Sequence, residues 1–227
     1  MHSRLIFAFL AAFLIPISAQ DAKQEKKPEK GLSVQLLAEA APKELGKVYL
    51  AFGETKSDGI ELPTNELSQP IPVPAREMVL KTLNKEIPLC SILLPEPGKK
   101  YAIVLVTAKP AGYKPIVVRT DDPDFKVGDV MFINRTDKTM LGKLGDTPLV
   151  LNSGEFKKAR PTNPKENAYY DIAFAVREKT GDRLISSTRW PIDQSIRSYV
   201  FFFTNADGRT SYRAVDEFVV PPAQEKP

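Results

Sequence analysis

Between residues 32 and 220 the chain is never uninterrupted for long. Pro, Gly, Asn or Asp recurs at intervals of about 8 to 12 residues, the turn spacing of sandwich folds. Twenty of the 227 residues are proline, well above the usual share, and they are spread along the chain. Proline removes a backbone donor and clashes with the preceding helical turn, so few windows remain for a helix of ordinary length. The segments between interruptions are short and rich in Val, Ile, Leu, Phe and Tyr, which suit a pleated, half-buried surface. The expected fold is all-β: two tandem antiparallel β-sandwich domains of immunoglobulin-like size, over residues 32–120 and 128–220.

In the first half, strands are expected at Ser33–Ala38, Lys47–Phe52, Pro70–Val73, Glu77–Leu83, Ile87–Leu94, Lys100–Thr107 and Lys114–Arg119. Ser33–Ala41 also reads as a short helix. Lys100–Thr107 is apolar on both faces in its middle, as in a central strand. Pro97-Gly98 and Ala111-Gly112 are turn signals, so Ile87–Arg119 reads as a three-stranded meander. Thr120-Asp121-Asp122-Pro123-Asp124 is the most polar stretch of the middle of the chain and places a linker at 121–127. In the second half, strands are expected at Gly128–Asn134, Thr139–Lys143, Pro148–Asn152, Glu155–Ala159, Tyr169–Arg177, Arg183–Trp190, Ile196–Thr204 and Thr210–Val220. Tyr169–Arg177 alternates with a period of two, the mark of a strand buried on one face.

The ends read differently. Arg4, the apolar run Leu5–Ile15, Pro16 and the small residue Ala19 form an export signal over 1–19, cleaved after Ala19. The run is short for a membrane anchor, so no transmembrane span is expected after cleavage. Residues 20–31 and 221–227 carry too little apolar surface to offset chain entropy and read as a charged disordered tether and a disordered tail. The location is therefore periplasmic or extracellular. The single histidine, His2, lies in the signal, so the mature chain has no imidazole. That excludes His-based triads and His-ligated metals. The net charge of +4 is diffuse, and no nucleic-acid motif accompanies it.

Three stretches carry a resemblance: Phe132–Thr136 with Leu151–Glu155 (L-x-x-G-E), Ser187–Pro191 (S-x-R-W-P), and the aromatic Tyr199–Phe203. Together they resemble a group of exported two-part β-sandwich proteins of envelope-rich bacteria that has no assigned function. The resemblance covers most of 32–220, rests on hydrophobic and turn positions, and implies the fold without implying catalytic residues. The halves share no obvious motif.

Few residues suggest chemistry. Cys90 lies among aliphatics and reads as a buried inert thiol, or as a thiol that pairs between chains. Asp121, Asp122 and Asp124, with Asp129 nearby, offer hard oxygen ligands for calcium, or simply a solvated linker. Trp190, with Arg189 beside it, reads as a core tryptophan or as a sugar-stacking ligand site. Asn134-Arg135-Thr136 matches a glycosylation sequon. A glycosidase pair of carboxylates is defined only in space, and alternation puts Asp171 on the polar face. P-loop, dinucleotide and serine-elbow motifs are absent, and no cofactor is expected. The expected function is a non-enzymatic envelope protein, a binding or structural adaptor whose partner is another envelope protein or a polysaccharide. The alternatives are a carbohydrate-binding module using Trp190 and a carboxylate-dependent glycoside hydrolase.

Overall fold

The structure is a computed structural model that describes residues 30–108, 110–162, 169–205 and 207–219. The export signal 1–19, nearly all of the tether 20–31 and the tail 221–227 lie outside the described residues. The rest is strand. The first half contains β1 (Ser33–Ala38), β2 (Val48–Phe52), β3 (Thr55–Lys56), β4 (Ile71–Pro72), β5 (Glu77–Thr82), β6 (Pro88–Leu93), β7 (Lys100–Thr107) and β8 (Tyr113–Arg119). The second contains β9 (Val130–Asn134), β10 (Met140–Leu144), β11 (Thr147–Leu151), β12 (Phe156–Ala159), β13 (Tyr169–Glu178), β14 (Gly181–Pro191), β15 (Ile196–Thr204) and β16 (Thr210–Phe218). Ser33–Ala38 is a strand and not a helix, because both of its edges are paired, to β4 and to β7.

The strands form four sheets of four: β4-β1-β7-β8 and β3-β2-β5-β6 in the first half, β12-β9-β15-β16 and β11-β10-β13-β14 in the second. Adding eight to every label in one half gives the other. Each half has one parallel pair, β1 with β7 and β9 with β15. Each also carries a register shift at the matching place, after Leu80 in β5 and after Phe174 in β13. The molecule is thus one sandwich route followed twice. In each half the first two strands lie in different sheets, unlike the A-B-E-D and C-F-G partition of immunoglobulin constant domains. The expected meander is also absent: β6 pairs with β5, while β7 pairs with β1 and β8, so the chain changes sheet around Pro97-Gly98.

Each sandwich has its own core. Val34, Leu36, Leu50, Leu80, Ile103 and Leu105 are among the buried residues of the first, and Phe132, Leu151, Ile172, Phe174, Val200 and Phe202 among those of the second. A third core joins them. Leu37, Ala102, Val104 and Val106, from the outer face of β1 and β7, pack with Met131, Ile133, Tyr199 and Phe201, from the outer face of β9 and β15. This explains why Lys100–Thr107 and Tyr199–Phe203 are apolar on both faces: each strand lies between two cores.

Polar clamps close both ends of the shared interface. At one end Arg197, only 5% exposed, donates to the carbonyls of Thr120 (2.7 Å) and Phe125 (3.1 Å). It also makes two bonds to the Glu217 carboxylate (2.5 and 3.1 Å) and lies 4.7 Å over the Phe125 ring. Tyr199 donates to the same carboxylate at 2.8 Å. Burial pushes the Tyr199 hydroxyl well above its ordinary range, and the Glu217 charge adds to this. At the other end Arg135 donates to Glu39 (3.2 Å) and to the Thr107 carbonyl (2.7 Å). The expected linker 121–127 is therefore anchored: Phe125 is buried in the shared core, and Arg197 holds the backbone on either side of the Asp residues.

Candidate functional site

Successive residues of a strand point to opposite faces, and this separates the two residues expected to act together. Trp190 faces inward opposite Tyr170, with its ring edge-on to Tyr170 (6.4 Å between centroids) and to Phe174 (6.3 Å). It is half-buried against the second core. Arg189 faces outward, 4.9 Å over the Tyr169 ring and 3.6 Å from the Asp171 carboxylate. Trp190 and Arg189 therefore do not share a site, and Asp171 lies on the outer, polar face as the alternation indicated.

The strand that carries them is more distinctive than either residue. β14 spans Gly181–Pro191 and, among the described residues, pairs only with β13. Its outer edge is open, and Leu184 is 62% exposed. The counterpart strand β6 runs close against β8, whereas β14 and β16 are joined more loosely, through the Ser186 and Tyr212 hydroxyls at 3.3 Å. The seam of the second sandwich is thus held by single side chains where the first brings its strands together.

At one end of that sandwich is a cleft of about 150 Å³ between the chain entering β9, the segment Arg160–Thr162 and the loop Pro191–Ile196. Gly145 brings the middle wall in. It has φ of +56° and is bridged to Thr162, and a Cβ there would overlap the Thr162 carbonyl. On one side Asp129, which is buried, accepts from Arg160 Nε (2.6 Å) and from the Lys126 N–H (2.7 Å). On the floor Ser198 donates to the Asp216 carboxylate at 2.6 Å. Tyr170 is 7% exposed, and no described residue hydrogen-bonds its hydroxyl. Burial first and the Asp216 charge second push that hydroxyl up to about 12, so it is a proton donor at neutral pH. On the rim the Ser195 hydroxyl (2.5 Å) and N–H (2.7 Å) hold the Asp193 carboxyl below its usual range. Sequence reasoning missed this site. Its one visible signal was Ser198, a small polar residue at an inward position of an otherwise Val- and Phe-rich strand.

The acidic cluster is engaged elsewhere. Asp121 is bound by Arg119 Nε (2.8 Å) and the Lys99 N–H (2.8 Å), and Asp122 accepts the Asp124 N–H (2.9 Å). The Asp124 carbonyl accepts from Lys158. Among the described residues no three His, Cys, Asp or Glu side chains are grouped to hold a metal ion, Asp121, Asp122 and Asp124 included. Cys90 is half-buried on β6 and not fully buried, and burial pushes its thiol up to about 11. Asn134 is 1% exposed: its amide donates to the carbonyls of Lys138, Leu151 and Asn152, and its oxygen accepts from Thr136. It is a structural hub, closed to glycosylation. No helix among the described residues is long and apolar enough to cross a membrane.

A scan against protein-family models and a search of curated proteins each find no match for this chain.

Proposed function

We propose that this chain is an exported, non-enzymatic protein of the cell envelope that binds another envelope protein by adding that partner's strand to β14. The observation that carries the reading is the outer edge of β14, eleven residues long and unpaired among the described residues. Unpaired backbone donors and acceptors along an edge are a ready template for another strand. The shift beside Ala175 interrupts the ladder near Leu184–Ser186, so Ser187–Trp190 offers the regular stretch and exposed Leu184 an apolar contact beside it. The shared core supports the adaptor reading, because a partner held at β14 is held by both halves together.

The cleft carboxylates favour binding over hydrolysis. A glycosidase needs one protonated acid opposite an ionised partner. Here Asp129 is tied to Arg160, and Asp193 is held ionised by Ser195. The test is a pull-down with tagged mature protein from cross-linked native envelopes, run beside Leu184→Glu. One stoichiometric protein, captured by the wild type and lost with the variant, supports the reading. Polysaccharide recovered without protein, or equal capture by the variant, overturns it.

A further inference from the structure

The two copies of the sandwich differ at one end, and the pairing registers identify what is exchanged there. In the first copy Tyr101 is the inward residue at the start of β7, between Val34 on β1 and Arg119 on β8. In the second, the inward place at the start of β15, between Val130 on β9 and Asp216 on β16, belongs to Ser198. The bulges fix the facing wall. Arg76 lies four residues before the bulge residue Leu80, and Tyr170 four before Phe174. Each is paired with the matching residue on the next strand, Leu94 for Arg76 and Trp190 for Tyr170.

In the first copy this space is full. Tyr101 is 1% exposed. Its hydroxyl donates to the Pro95 carbonyl at 2.5 Å and accepts from Arg76 at 3.1 Å, while Arg76 also donates to the Gly98 carbonyl. In the second copy serine replaces the phenol ring, and the residue in the place of Arg76 makes no hydrogen bond to the loop that follows. The cleft of about 150 Å³ stands in that space. A cavity of roughly this volume holds a single benzene-sized ring. Tyr170 is almost wholly buried, yet its hydroxyl, which no described residue bonds, is not sealed from solvent. The hydroxyl is therefore the part of the residue left open to the cleft. Ser198 donates to Asp216 and keeps its lone pairs for a second partner.

We infer that this cleft takes a phenol ring from outside the chain, in the place that the first copy fills with its own Tyr101. Pro161, Ile192 and Ile196 supply the apolar walls, and the hydroxyls of Tyr170 and Ser198, at the place where Tyr101 stands in the first copy, are offered to the phenol oxygen. The ring comes either from a free phenol or from a tyrosine side chain of a bound protein. The inference rests on the duplicated fold and not on strand addition at β14.

The test is a titration of mature protein (residues 20–227) with p-cresol, N-acetyltyrosinamide, N-acetylphenylalaninamide and methyl glucoside. It is followed by amide shifts of Tyr170, Ile196 and Ser198 and by the fluorescence of Trp190. Saturable binding of p-cresol is expected, about tenfold tighter than that of toluene run beside it, the worth of one hydrogen bond. Equal or tighter binding of the tyrosine amide assigns a protein side chain; its exclusion assigns a free phenol. Ser198→Tyr refills the space and abolishes binding. If that variant does not fold, Tyr170→Phe, which removes one exposed oxygen, weakens p-cresol about tenfold. No saturable binding of either phenol, binding unchanged in the variants, or preference for the glucoside overturns the inference.

Discussion

The first sandwich packs its seam closely and fills its end with its own side chains, and the second has a looser seam and a cleft at that end. β6 lies against β8 while β14 and β16 meet through Ser186 and Tyr212, and Tyr101 fills a place where Ser198 leaves a cleft. Yet strand order, parallel pair and bulge position agree between the halves. The route of the chain follows from hydrophobic alternation and turns, which unlike sequences can share. What occupies the ends follows from single residues, which can change without altering the route.

The largest test of this comparison removes what holds the halves together. Phe201 is buried in the shared core, and Phe201→Ala is expected to cost about 3–5 kcal/mol. Urea unfolding followed by two probes should then resolve two transitions where the wild type gives one. Making the first half resemble the second is the next test. Tyr101→Ser opens the sealed end at a cost of about 3 kcal/mol, read from the denaturation midpoint. In the reverse direction Asn134, at the end of β9, holds the place that Ala38 holds at the end of β1. Asn134→Ala removes one donor from each of three carbonyls and is expected to cost about 2 kcal/mol by the same assay. A loss no larger than that of an exposed substitution would show that the two strand ends are interchangeable.

The smallest effect belongs to the β13–β14 hairpin. Hydrogen bonds from Lys138 (3.0 Å) first and Arg183 (3.2 Å) second hold the Glu178 carboxyl below its usual range. A depressed carboxyl contributes stability that is present above its unfolded value and is lost as pH falls through the folded one. Glu178→Gln should therefore lower Tm slightly at neutral pH and not at all in strong acid.

Much of the fold was legible in the sequence, because burial of one face leaves a period-two trace. Tyr169–Arg177 alternates in the structure as it does in the sequence. The apolar runs at Lys100–Thr107 and Tyr199–Phe203 were visible too, and their second buried face is the joint between the halves. That joint was hidden behind the acidic run beside it, because a stretch as polar as Asp121–Asp124 reads as solvated whether or not Phe125 next to it is buried. The duplication was hidden because matching positions hold unlike residues: Tyr101 and Ser198, Arg76 and Tyr170, Ala38 and Asn134. The site was obscured by adjacency. Arg189 and Trp190 are neighbours in sequence and lie on opposite faces, whereas Tyr170 and Ser198 are far apart in sequence and line one cleft.

The shared core also limits how this protein can be inherited or engineered. Each half presents to the other a face that, standing alone, would be an exposed apolar patch of the kind that drives aggregation. Neither half is a portable module that recombination could lift into a new context, despite the duplicated route. Substitutions at Val104 or Phe201 are judged by both halves at once, so these positions tie the histories of the halves together. The looser seam and the cleft lie away from that shared face, which leaves their residues free to vary with whatever they bind.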